Sequence, residues 1–339
     1  MMTLQERIQA FVNLGKTLEN LSEEEFETLS RRVENNNNWF TQEQTRSALE
    51  GLQVFLQEKA LADWLGKYDL VSIESPRKIG VLMAGNVPAV GFHDFMTVLL
   101  SGHEFHGKLS SNDEVLMKWL AEELVAAEPR FADYIYFESM LKGMDAYIAT
   151  GSDNSARYFE YYFGKYPNII RKNRSSVAVF TGEEGEKDYL ALGHDIFQYY
   201  GLGCRNISKV FLPNEEQLQD FLKAIQPFES VINHHKYRNN YDYNKSIYLV
   251  NQQPHLDNGF LLLTKGEGLV SPISVLYYEI YEDQQELESK LSSYTDKIQC
   301  VVSKEGQLKN SLPFGDAQCP GLEDYADNVD TMAFLIDLK

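Results

Sequence analysis

The sequence predicts an α/β protein with a mainly parallel sheet, preceded by a helical N-terminal segment. Two observations predict it. From about residue 78 onward, short apolar runs of strand length alternate with amphipathic stretches of helix length, the pattern of strand–helix–strand units. Before that point, apolar residues recur every three or four positions, which is the helical period. At 339 residues and 43% apolar composition, the chain can bury two or three cores of ordinary size.

Leu4, Ile8, Phe11, Leu14 and Leu18 line one face of a first helix, and a second covers about 23–34. The asparagine run 35–38 ends it, because asparagine side chains compete for backbone hydrogen bonds. Thr41 and Gln44 then read as a capping box opening a long helix that ends near Gly66. KIGVLMA (78–84) reads as a buried parallel strand stopped by Gly85 and Asn86. Next come a helix at 88–102, a strand near 105–110, a helix near 113–127, a strand at 145–150 and a helix at 155–165. Strand 176–182, helix 184–200 and strand 208–213 follow. Segments 260–265, 271–281 and 297–303 read as strands, with a helix near 283–293 between the last two. The polar, aromatic stretch 233–245 reads as a loop or bridging hairpin.

Charge and composition narrow the function classes. The formal charge of −19 repels phosphate backbones and anionic lipid, so nucleic acid is not an expected partner. No stretch approaches the roughly 18–20 apolar residues of a membrane span. Glu6 and Arg7 interrupt any signal-like apolar run at the start, so a cytoplasmic protein is expected. Cys204, Cys300 and Cys319 lack zinc-site spacing and are expected as thiols in a reducing compartment.

Three segments could carry chemistry. Thr150-Gly151-Ser152-Asp153-Asn154-Ser155 joins a strand to a helix, where free N–H groups and the helix dipole favour a phosphate. It lacks both common phosphate-binding glycine fingerprints, and an ordinary capped helix start has the same form. Cys204 follows two glycines at a helix-to-strand junction, where a thiol is reachable and backbone N–H donors favour thiolate. A lone cysteine is more often a small buried apolar residue. Asn86 stands past the carboxyl end of a strand, where open α/β sheets bind ligands, and its amide could donate to an oxyanion. A turn-forming asparagine reads the same way. His93, Asp94, the adjacent His234 and His235, and the acidic segment 314–335 read as structural or solvated.

In order and spacing these segments resemble the aldehyde dehydrogenase superfamily, specifically its compact acyl-CoA reductase branch, the fatty acid reductase type of bacterial bioluminescence. The resemblance runs from about 78 to 335. AGNVPAVGFHDFMTVLLSG is similar to that family's Asn-x-Pro segment and first cofactor-domain helix. HGKLSSND resembles its Lys-x-Ser element, which implies Lys108 and Ser110, with Ser111 beside them, at the cofactor ribose and phosphate. IATGSDNSA is similar to the Thr-Gly-Ser turn facing the pyrophosphate, implying Thr150, Gly151 and Ser152. YGLGCRNISKVFLP is similar to the Gly-x-x-Cys catalytic segment. LVSPISVLYYEIY resembles the late Gly-Pro strand, and Glu267 just ahead of it is implied as a ribose contact. FGDAQCPGLEDYADNVDTMAFL resembles the C-terminal segment.

The resemblance implies four parts: a helical segment 1–75, a Rossmann-like parallel-sheet cofactor domain 76–180, an α/β catalytic domain 181–313, and a segment 314–339 returning to the cofactor domain. It also implies NADPH, with NADH as the alternative cofactor. One departure matters. The superfamily's Glu-Leu-Gly-Gly is here Arg171-Lys172-Asn173-Arg174, so the carboxylate that activates water for deacylation is missing. That favours reduction of an acyl thioester, from fatty acyl-CoA or acyl-carrier protein, to aldehyde over oxidation of aldehyde to acid. Cys204 would form the acyl-enzyme and Asn86 would help hold the oxyanion. The basic run would partly offset the acidic field near a phosphorylated ligand. The alternatives are a cysteine acyltransferase or thioesterase without nicotinamide, with His194 as the nearest histidine in sequence, and a non-catalytic interaction subunit. A homodimer is the largest assembly expected.

Overall fold

The computed structural model describes residues 2–70 and 75–338. The chain divides into two compact units, one formed by residues up to Asn173 together with those from Gly321 onward, the other by Arg174–Pro320. The domain boundary expected at 75 adjoins residues 71–74, which lie outside the described residues.

In the first unit, helices α1 (Leu4–Glu19) and α2 (Glu23–Asn36) both begin with a capping box. The Thr3 hydroxyl accepts from the Glu6 N–H, and the Glu6 carboxylate accepts from the Thr3 N–H. Ser22 and Glu25 repeat this. Ile8, Phe11, Leu14 and Leu18 are buried on α1, and the Phe11 ring meets Phe92, Phe95 and Phe131 edge-on. The long helix expected over 41–66 is instead two, α3 (Gln42–Phe55) and α4 (Glu58–Leu65). Leu56, 2% exposed, is drawn against Gly15 of α1 and breaks the run. Thr41 caps α3 by accepting from the Gln44 N–H, but the reciprocal half of the box is not formed.

The sheet of this unit comprises β1 (Lys78–Leu82), β2 (Glu104–Lys108), β3 (Ile135–Phe137), β4 (Ala146–Thr150) and β5 (Asn168–Arg171). Among the described residues the order is β3-β2-β1-β4-β5, all parallel. Helices α5 (Phe92–Ser101), α6 (Glu114–Ala127) and α7 (Asp153–Phe163) follow β1, β2 and β4. The order reverses between β1 and β4. The loops leaving those two strands therefore flank the crevice where doubly wound sheets bind ligands. A C-terminal helix, Thr331–Ile336, returns to this unit, and the Leu335 carbonyl meets His103 Nε2 at 3.0 Å.

The second unit holds β6 (Ser175–Val179), α8 (Glu186–Phe197), β7 (Ile207–Leu212), α9 (Gln217–Ala224), α10 (His235–Val250), β8 (Leu256–Asp257), β9 (Leu262–Lys265), β10 (Val275–Ile280), α11 (Gln284–Ser293), β11 (Ile298–Ser303) and β12 (Leu312–Pro313). The described strands run β12-β11-β6-β7-β10-β9-β8, parallel except for β8. The stretch 233–245, expected as a loop or hairpin, lies largely in helix α10. Tyr237, Tyr241, Asn244 and Tyr248 recur at helical spacing and are buried. Two of the tyrosine tips are satisfied: the Tyr237 hydroxyl donates to the Phe260 carbonyl at 3.0 Å, and Tyr241 donates to Asp257 at 2.7 Å.

Asp195 of α8 is fully buried and latches the later segment. Its carboxylate accepts from the Gly315 N–H at 2.7 Å and the Ala317 N–H at 2.9 Å. Burial pushes its carboxyl up to about 7, against the pull of those amides. The folded value thus lies above the unfolded one, near 3.9. The stability contributed by the bound proton is complete below about pH 4 and is lost as pH rises through about 7. The loss is on the order of a few kcal/mol. Chemical unfolding from acid to neutral pH should therefore show a falling stability in the wild type and a flatter profile in Asp195→Asn. Equal slopes would refute the assignment.

Candidate active site

In the first unit, the carboxyl ends of neighbouring parallel strands gather most of the singled-out residues. Asn86 is exposed on the loop after β1. Lys108 ends β2, pairs in register with Leu82 and is exposed. Its ammonium makes no ion pair among the described residues. Gly85 lies so close to Ser110 that an added Cβ would stand 2.4 Å from the Ser110 hydroxyl. Only glycine lets the β1 and β2 loops approach this closely. Thr150 ends β4, and Gly151 and Ser152 follow it. The Ser152 hydroxyl caps α7 by accepting from the Ser155 N–H at 3.2 Å. Ser111 is exposed, and its carbonyl accepts from Asn36.

Asp113 sits beneath this edge, and sequence reasoning did not single it out. It occupies the N-cap position of α6 without making a cap bond. It is 3% exposed, and neither carboxyl oxygen makes a hydrogen bond of normal geometry. Burial pushes its carboxyl well above the usual range, against an opposing pull from the Ala89 backbone. An added Cβ on Gly85 would lie 3.3 Å from the Asp113 Cβ. Ala89, in the same loop as Asn86, has a left-handed φ of 56°.

The basic run does not form the ligand-facing patch expected of it. Arg171 is buried, donates to Asp94 at 2.6 Å and to the Thr331 hydroxyl at 2.8 Å, and so joins β5, α5 and the C-terminal helix. In the second unit, Arg174 donates to the Ile298 carbonyl at 3.1 Å. Both guanidiniums are engaged inside their own units. His93, expected to be structural, contacts the Leu322 carbonyl through Nε2 at 2.9 Å.

In the second unit, Cys204 stands in a turn three residues before β7 and is half-buried. Tyr199, Tyr200, Gly201 and Gly203 before it have φ of 53°, 58°, 78° and 97°. At the two glycines this is unstrained, but at Tyr199 and Tyr200 it is strain, which persists only where surrounding contacts enforce it. The turn is also held through two of its carbonyls. The Ser176 hydroxyl donates to the Cys204 carbonyl at 3.0 Å, and the Ser176 N–H donates to the Asn206 carbonyl at 3.0 Å. The Arg205 guanidinium donates to the Ala317 carbonyl at 3.1 Å. Cys204, Cys300 and Cys319 are not in disulfides. Partial burial, then Asp316 and Asp195, push the Cys319 thiol up. His194 packs its ring edge-on to Phe228.

Glu267 is exposed, and its backbone is pinned. Its carbonyl accepts from the Lys209 ammonium at 3.2 Å and the Tyr294 hydroxyl at 3.0 Å. Lys209 is fully buried and ion-paired with Glu279. Its neighbour Ser208 donates to the Leu269 carbonyl at 2.7 Å. β7 thus holds the Glu267 segment from below. Ser176 and Lys209 were legible only as polar residues beside apolar runs, and Asp113 only as one polar residue among several. No group of acidic, histidine and cysteine side chains suited to a metal occurs among the described residues, and no described helix is long and apolar enough to cross a membrane.

No protein-family model matches the sequence, and no curated protein matches it. Solved structures do. An aldehyde dehydrogenase of Mycobacterium tuberculosis complexed with NAD+ superposes with a TM-score of 0.64 at 13% identity, over 89% of this chain and 73% of that one. An NADP-dependent enzyme of Escherichia coli gives 0.64 at 12%, over 89% and 73%. The NADP-dependent glyceraldehyde-3-phosphate dehydrogenase of Bacillus halodurans, complexed with NADP, gives 0.63 at 12%, over 89% and 74%. At such identities the likeness speaks for the fold, and the fold of this chain is that of the aldehyde dehydrogenases.

Proposed function

We propose that the chain is a nicotinamide-dependent oxidoreductase that reduces an acyl thioester to an aldehyde through an acyl-enzyme on Cys204. The observation that carries the reading is Cys204 itself, a half-buried thiol on a strained, tightly held turn leading into β7, in a chain with the aldehyde dehydrogenase fold. The choice of reduction over hydrolysis rests on Arg171. Where the resemblance puts a water-activating glutamate, this chain has a buried guanidinium bonded to Asp94.

The residues at the first unit's sheet edge suit a dinucleotide. Gly85 lets the β1 and β2 loops close up against Ser110, Lys108 offers a cation for a ribose phosphate, and Gly151 and Ser152 precede a helix N-terminus. Asp153 in the first turn of that helix already answers part of its dipole, so Gly151 is the favoured side for a pyrophosphate. Lys108 makes NADPH the preferred cofactor. A reduced nicotinamide held there would supply hydride for reduction of an acyl-enzyme.

Cys204, as thiolate, attacks the thioester carbonyl carbon. The side-chain amide of Asn86 and the backbone N–H of Cys204 stabilise the oxyanion, whose collapse breaks the substrate's carbon–sulfur bond, and the leaving thiolate takes its proton from solvent. After reduction, the thiohemiacetal collapses to free aldehyde and regenerates the Cys204 thiolate. Glu267 orients the ribose. Asn86→Ala should lower kcat by on the order of 10²–10³-fold with little change in cofactor affinity, measured by steady-state kinetics. An unchanged kcat would remove Asn86 from the reaction.

The deciding experiment mixes the protein with NADPH and acetyl-, octanoyl- or palmitoyl-CoA and follows nicotinamide absorbance, with Cys204→Ala as control. Absorbance loss in wild type alone supports the reading. Release of free CoA without NADPH oxidation points to acyl transfer. Neither signal, with acyl-carrier protein substrates also tried, leaves an interaction role.

A further inference from the structure

We infer that Ser176 is the positioning residue for Cys204, an inference that rests on Cys204 being the nucleophile. Ser176 is one of two adjacent serines in β6, a strand buried along its whole length, and is itself fully buried. Its hydroxyl is committed on both sides. It accepts from the Cys300 N–H at 3.2 Å and donates to the Cys204 carbonyl at 3.0 Å. A backbone donor on one side and a backbone acceptor on the other leave the hydroxyl a single useful rotamer. The Cys300 sulfur, 3.1 Å from the same oxygen, adds a third contact.

The same residue grips the turn a second time. The Ser176 N–H donates to the Asn206 carbonyl at 3.0 Å, and the Ser175 hydroxyl reaches that carbonyl at 3.3 Å. The carbonyls of residues 204 and 206 are therefore both tied to β6, and the peptide that follows Cys204 cannot rotate. Fixing that peptide fixes the backbone angle that aims the Cys204 side chain. The left-handed run from Tyr199 to Gly203 gives the turn a reason to relax, and the Ser176 hydroxyl is a buried side chain that holds the nucleophile's own carbonyl against relaxation. Displacements of about 1 Å at a reacting group cost on the order of 10²-fold in rate. The hydroxyl therefore acts on turnover without touching substrate.

The test compares Ser176→Ala, Ser176→Cys and Ser176→Thr with wild type and Cys204→Ala, under reducing conditions. Three quantities are read: kcat and KM with acyl-CoA and NADPH, the rate of Cys204 alkylation by iodoacetamide followed by mass spectrometry, and thermal unfolding. Ser176→Ala is expected to lower kcat by about 10- to 100-fold. KM and the alkylation rate should change far less, because a small reagent reaches a displaced thiol from many directions. Ser176→Thr, which keeps the donor, should recover most of kcat. If Ser176→Ala does not fold, Ser176→Cys decides, since it keeps the volume and weakens the donor: a lowered kcat supports the inference and a wild-type kcat overturns it. Wild-type turnover by Ser176→Ala beside an inactive Cys204→Ala overturns the positioning role and leaves the nucleophile standing. Full activity in Cys204→Ala brings down both.

Discussion

Cys204→Ala should lower NADPH-dependent turnover of acyl-CoA by more than about 10⁴-fold while leaving thermal unfolding close to wild type. The size of the loss follows from covalent catalysis, since removing the nucleophile removes the acyl-enzyme and leaves only binding and oxyanion stabilisation. The small structural effect follows from its setting. The Cys204 side chain is half-buried, and the contacts that hold the turn fall on its carbonyl and on the carbonyl of Asn206. A one-sulfur truncation leaves those bonds intact. Residual turnover within tenfold of wild type would mean that hydride reaches the thioester without an acyl-enzyme, and the mechanism would have to be abandoned.

The second large effect belongs to Arg171. Arg171→Met should destabilise the first unit by about 3–5 kcal/mol, because it leaves the Asp94 carboxylate uncompensated in a buried place. In a folding unit of this size that corresponds to a fall in melting temperature of roughly 10 °C, measurable by circular dichroism. Arg171→Glu, which places a carboxylate where the sequence resemblance puts one, should be worse. It sets a second negative charge beside Asp94 and strips a donor from Thr331. The expected outcome is a poorly folded protein, not a hydrolytic dehydrogenase. A well-folded Arg171→Glu that releases carboxylic acid would show that the site tolerates a general base after all.

The parts of the fold legible in the sequence are those in which one physical signal acts alone. β1 and β7 are apolar runs of strand length, and α1 has an uninterrupted apolar face. Elements were missed where two signals compete. β3 and β5 have three and four residues, too few for a period to emerge. α10 buries tyrosines whose hydroxyls find the Phe260 carbonyl and Asp257, so a buried helical stripe reads as polar irregular chain. The helix expected over 41–66 broke because Leu56 packs on Gly15, a contact 41 positions away.

The candidate site divides in the same way. Asn86 and Thr150–Ser152 were singled out because loops after parallel strands carry recognisable turn residues, and Lys108 and Ser110 because their segment resembles the Lys-x-Ser element. Ser176 and Lys209 were not, because their meaning lies in partners far along the chain. Ser176 meets a carbonyl 28 residues on, and Lys209 meets one 58 residues on. Arg171 was read as a surface charge because its partners, Asp94 and Thr331, are 77 and 160 residues distant.

The discontinuous first unit sets an order of events during synthesis. Residues 174–320 form one compact unit and leave the ribosome as an unbroken stretch. Asp195 can latch Gly315 and Ala317 as soon as that stretch has emerged. The first unit must wait. Arg171 lacks Thr331, His93 lacks the Leu322 carbonyl and His103 lacks that of Leu335 until residues 322–335 have emerged in their turn. The larger N-terminal portion therefore stays incomplete while the inserted unit can already be native, which reverses the usual N-terminal-first sequence of domain folding. Chains ending at residue 320 and held on the ribosome by a linker long enough to clear its exit tunnel should carry a protease-resistant second unit and a first unit that is still cleaved.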